Sequence, residues 1–250
     1  MTEIARPEME WYLGPEGDQR IWYEQAEIED LMSEQLRSAR QRLTLANPIP
    51  DIEAFVENHL GVDLDQYATL PSEVLGLTEF DQAAAPKMKI NTELTEAADA
   101  DPPRPGMRGR WRATIAHEAA HVLLHRYLFD PAMSKIRQGD YRDPLAADTT
   151  ATTEVLKRVQ CLHRDVDPRR STPSRVARDW REIQANRGMS ALLMPSGIFK
   201  RVALMNGAIM GLAPETDSPQ GVDLAEAMAG AFDVSRQAAT LRLRALELLV

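Results

Sequence analysis

The stretch from Trp111 to Tyr127 constrains this chain more than any other. It reads WRATIAHEAAHVLLHRY, without a proline or glycine, and is expected to form a strongly apolar helix. Within it His117 and His121 stand four apart, one turn along the same face, so two imidazoles can meet one metal ion. Glu118 lies about 100° around the helix, beside such an ion rather than on it. A carboxylate there is placed to act as general base, taking a proton from water that the ion activates for attack on a peptide carbonyl. The same residues also suit a buried helix whose histidines only satisfy hydrogen bonds. The small side chains of Ala116, Ala119 and Ala120 permit close packing around a metal or around another helix.

Two histidines leave a catalytic zinc one protein ligand short. His125 repeats the spacing but lies a further turn along the rod, and three residues stacked at intervals of four on a straight helix do not converge on one ion. It is expected beside the site or at the helix end, behind the ligands. Leu124 and Tyr127 stand where a metzincin carries glycine and a third histidine, which excludes that class. The third ligand is therefore sought on another helix. The best candidate is Glu182 in DWREIQAN, with Asn186 one turn later and placed to support a histidine ligand from behind. Taken alone, Glu182 reads as a solvated glutamate on an exposed helix. His163 and Asp179 are weaker rivals, and His59 reads as structural.

The rest of the chain reads as α+β. A helical stripe runs from Ile21 to Leu43, and a short helix from Asp51 to His59 ends at Leu60-Gly61. Val62–Leu64, Val74–Phe80 and Lys87–Asn91 suit short strands. Glu96–Gly109 reads as an exposed loop, a weak helix is expected around Thr153–Val159, and His163–Arg178 forms a long basic loop. A helix from Asp179 to Met194 stops at Pro195. The boundaries implied are an acidic helical extension over 1–48, a central domain over 49–215 and a helical segment over 216–250.

Composition excludes several classes. Of 250 residues, 44% are hydrophobic and 27% charged, as in ordinary soluble proteins. The net charge of −9 argues against binding driven by phosphate attraction. One cysteine, Cys161, cannot form an internal disulfide, and neither a secretory signal nor a run long enough to span a membrane is evident. A cytoplasmic protein is expected.

RWRATIAHEAAHVLLHR followed by DWREIQANRGMSALLMP resembles the ImmA/IrrE family of bacterial zinc metallopeptidases. The match falls on Arg112, Ala116, His117, Glu118, His121, Leu123, Leu124 and His125. It falls again on Glu182, Ala185, Asn186 and Leu192-Leu193-Met194-Pro195, with diffuse similarity over about residues 50 to 200. The resemblance implies a zincin-like, gluzincin-like fold in which a small sheet packs on the active-site helix. It implies Zn²⁺ held by His117, His121 and Glu182, with Glu118 as catalytic base, although Mn²⁺ or Fe²⁺ suits the same ligands. As substrate it implies a helix-turn-helix repressor, cut to switch on a mobile element or a stress response. Two departures stand out: Ala120 replaces the glycine usual before the second histidine, and the spacer from His121 to Glu182 is long.

Residues 224–243 also resemble a helix-turn-helix, with Val234-Ser235 at the turn. Asp223, Glu226, Asp233 and Glu247 offset Arg236, Arg242 and Arg244, so a basic footprint is missing and direct DNA binding is not expected. A hairpin packed on the catalytic domain, or gripping a substrate, is the preferred reading. The expected function is thus a metalloendopeptidase acting on a protein, with Val74–Phe80 as an edge for holding an extended substrate. The alternatives are a non-catalytic regulator that sequesters a repressor and a DNA-binding regulator working through the C-terminal helices.

Overall fold

A computed structural model describes residues 11–13, 19–80, 85–102, 104, 106–126, 158–162, 180–208 and 213–250. Strands β1 (Trp11–Leu13) and β2 (Gln19–Ile21) form an antiparallel pair. Helix α1 (Gln25–Ser38) follows, opened by a capping box between Glu24 and Glu27. Helix α2 (Ile52–Ala54) widens into a π-helical turn over Phe55–His59. Strands β3 (Asp63–Ala68), β4 (Val74–Glu79) and β5 (Lys87–Asn91) come next, then α3 (Thr92–Asp99), α4 (Met107–His125) and β6 (Arg158–Leu162). The chain closes with α5 (Trp180–Leu193), α6 (Ser196–Met205), α7 (Pro219–Phe232) and α8 (Arg236–Ala245). The architecture is α+β.

The four-stranded sheet has the order β3-β5-β4-β6, with β3 parallel to β5 and β4 antiparallel to both of its neighbours. Strand β4 therefore lies inside the sheet, and the expected substrate-holding edge at Val74–Phe80 is corrected: β6 covers that side. Residues 158 and 159 likewise belong to a strand rather than to a weak helix, and 153–157 fall outside the described residues. Pairing with β4 decides the state of a segment whose own pattern is weak. The predicted helix from Ile21 begins four residues later, because residues 19–21 are paired with 11–13. α3 and α4 both extend into the predicted loop 96–109.

Asn91 shows how side chains join the sheet to the helices. Its Oδ1 accepts from the Glu93 amide at the start of α3, while its Nδ2 donates to the Val74 carbonyl at 2.9 Å. α4 packs against β4 because residue 76 is glycine. A Cβ there would lie 2.7 Å from Thr114 Cγ2 and 3.2 Å from Glu118 Cγ. α5 meets α4 in the same manner at Gly188, where a Cβ would lie 2.8 Å from Ala120 Cβ and 3.1 Å from Met32 Cε. Room for the Ala120 methyl is thus provided across the interface, by the glycine on the facing helix.

Among the described residues, one hydrophobic core joins α1, the sheet, α4 and the C-terminal helices. Ile28, Met32 and Leu36 of α1 are buried with Ile115, Ala119 and Leu124 of α4, and with Phe232 and Leu243 of α7 and α8. Arg242 fastens these layers. It is 1% exposed, donates twice to the Met194 carbonyl, at 2.7 and 2.9 Å, and forms a two-pronged ion pair with Glu29 of α1. No helix among the described residues is long and apolar enough to cross a membrane.

Candidate metal centre

His117, His121 and Glu182 converge. Their nearest ligand atoms all lie within 4.8 Å of one another, and the group could hold a metal ion. The two Nε2 atoms are 3.1 Å apart, and Glu182 sets Oε2 3.1 Å from His117 Nε2 and Oε1 3.4 Å from His121 Nε2. Two nitrogens bound tetrahedrally to one zinc at ordinary bond lengths stand about 3.3 Å apart, so the imidazoles already have a ligand's spacing. Both histidines are fully buried, whereas the Glu182 side chain keeps a quarter of its surface in solvent. Of the three, Glu182 is the one that reaches solvent.

The charge states suit a cation. Burial pushes the His121 imidazole down to about 4, further depressed by His117 although Glu182 works against it, so the ring is neutral and offers a lone pair. Burial resists ionisation of Glu182, but the rings of His117 and His121 against its oxygens outweigh this and hold its carboxyl well below the usual range. Two imidazoles and one carboxylate form a donor set suited to zinc or another first-row divalent ion.

Glu118 is buried next to His117 on α4, and Thr78 Oγ1 of β4 donates to its Oε2 at 2.5 Å. The hydroxyl holds the carboxylate in one orientation. Gly76 and Thr78 alternate onto the same face of β4, one leaving space for Glu118 and the other gripping it. His125 sits behind the ligands, with Nδ1 2.9 Å from His121 Nδ1 and its ring edge-on to Trp180 at 5.3 Å.

Asn186 turns elsewhere. Its Nδ2 donates to the backbone carbonyl of Glu182 at 2.9 Å, within its own helix, and not to a histidine. The residue that does reach a histidine is Gln184, whose Oε1 lies 3.1 Å from His125 Nε2. His59 bonds Gln35 Oε1 at 2.9 Å and packs on Phe55, away from the cluster. His163 and Asp179 lie outside the described residues, as does the basic loop 163–178. Sequence patterns carried no sign of Gln184 or Thr78; only a buried amide on the helix bearing Glu182, and a polar residue in an apolar strand, mark them in retrospect. Comparison with known proteins finds no matching family and no matching curated relative.

Proposed function

We propose that this chain is a zinc-dependent endopeptidase of zincin-like type, with Glu118 as its general base. The observation that carries the reading is the convergence of His117, His121 and Glu182, with a buried, oriented carboxylate one residue along from the first ligand. An ion in this set supplies Lewis acidity, polarising a carbonyl and lowering the pKa of water toward ~7. His117 and His121 are fixed by burial on one helix, while Glu182, on a second helix, closes the set from the solvent side. Glu118 takes the proton from the attacking water and delivers it to the departing amine, with Thr78 keeping its carboxylate aligned. The substrate best matched is a helix-turn-helix repressor, a proposal that rests on the sequence resemblance.

The test combines metal analysis with cleavage. Mass spectrometry is expected to find one zinc per chain in the wild type and in Glu118→Gln. Incubation with helix-turn-helix repressors should yield two fragments with the wild type, and a rate reduced by about 10²–10⁴ with Glu118→Gln. Wild-type protein that is folded yet takes up no zinc, or a Glu118→Gln variant that cuts normally, would overturn the reading. Inactivation of a repressor without fragments would replace it with sequestration by a non-catalytic scaffold.

A further inference from the structure

Behind His121 a chain of buried polar groups runs away from the cluster. His121 Nδ1 faces His125 Nδ1 at 2.9 Å, His125 Nε2 faces Gln184 Oε1 at 3.1 Å, and Gln184 Nε2 faces the Ile21 carbonyl at 3.2 Å. His121, His125 and Gln184 are each 0% exposed, so water does not compete for these contacts.

Counting protons gives the row a direction. The Ile21 carbonyl can only accept, so the amide nitrogen of Gln184 must face it. The amide oxygen then faces His125 and also can only accept, which places a hydrogen on His125 Nε2. A neutral His125 consequently presents a bare Nδ1. The contact between the two Nδ1 atoms needs one hydrogen, and His121 must supply it. A neutral imidazole that carries its hydrogen on Nδ1 has its lone pair on Nε2, the atom pointing at His117 and Glu182.

We infer that Gln184, oriented by the Ile21 carbonyl and acting through His125, is a positioning residue that fixes His121 in the tautomer able to bind a metal through Nε2. The inference rests on the metal-site reading above. It also gives β2 a role at the centre, since the acceptor that sets the direction lies 163 residues before Gln184.

The test uses the full chain, with Gln184→Met to remove the acceptor at similar volume and Gln184→Glu to retain it. Long-range ¹H–¹⁵N spectra of the metal-free wild type should show His121 protonated at Nδ1 and His125 at Nε2. Competition of Zn²⁺ against a chelating dye should show Gln184→Met binding about 10–100-fold more weakly, with Gln184→Glu restoring most of the loss. A wild-type His121 protonated at Nε2 would overturn the inference, and that spectrum decides the matter even if Gln184→Met fails to fold. So would a folded Gln184→Met that binds Zn²⁺ as the wild type does. Failure of the wild type to bind Zn²⁺ would instead sink the metal-site reading while leaving the tautomer readable.

Discussion

Gly76 and Glu118 face each other across the junction of β4 and α4 so closely that a methyl group on residue 76 would stand 3.2 Å from Glu118 Cγ. The worse conflict would be with Thr114, whose Cγ2 would lie 2.7 Å away. Gly76→Ala is therefore expected to push β4 from α4 and to destabilise by about 1–3 kcal/mol, the usual cost of overpacking. Adding Thr114→Ser, which deletes the offending methyl, should recover part of that loss. Thermal unfolding of the two single variants and the double variant checks this; purely additive losses would show that the clash is not with Thr114.

Thr78→Val keeps the shape of the side chain but withdraws the hydroxyl from a buried carboxylate. Leaving a buried polar group without its hydrogen-bond partner costs about 1–3 kcal/mol. Urea denaturation should show a loss of that order, and on the proposed peptidase reading hydrolysis should slow while the metal content stays unchanged. An unaltered midpoint would mean that the Thr78–Glu118 contact contributes nothing.

Glu182→Ala leaves the two imidazoles in place and removes the carboxylate between them and solvent. Zinc is expected to be lost on dialysis from this variant, with α5 still helical by circular dichroism. Retention of a full equivalent of zinc would require a different third ligand.

The metal-free protein should be acid-sensitive in a definite window. The His121 imidazole is held near 4, against 6.5 when exposed, first by burial and then by His117, with Glu182 opposing and Arg181 nearby. Between those values the unfolded chain binds the additional proton, so stability is full above pH 6.5 and falls as pH drops toward 4. His121 alone contributes a loss on the order of 3 kcal/mol. His125, lowered by burial and by His121, adds to it with the same sign, and Glu182 extends it to still lower pH. Denaturation midpoints measured at several pH values on chelator-treated protein should trace this slope; a flat profile between 6.5 and 4 would mean that the rings are not held neutral.

The parts of the centre legible in the sequence are those set by local spacing. A repeat of four on an unbroken apolar helix brings His117 and His121 together whatever the rest of the chain does. Glu182 was identifiable because a ligand set of two histidines lacks a member and a second helix carries a carboxylate. Gln184 was hidden, since its meaning depends on a backbone carbonyl far away in the chain. Strand β4 was recognisable as a strand, yet its place inside the sheet depends on β6, whose own segment carries little pattern. Asn186 bonds the Glu182 carbonyl rather than a histidine for a similar reason: helical periodicity gives a face, but not which amide on that helix a neighbouring ring will meet.

The clamp made by Arg242 has a practical side. Cutting the chain down to residues 49–215 would keep every proposed ligand, but it would remove Arg242 and Glu29 together with the apolar faces of α1, α7 and α8. The Met194 carbonyl and Phe199 beneath them would be left to water. Such a fragment is expected to precipitate or to bind its neighbours, and a missing activity in it would say nothing about the chemistry of the centre.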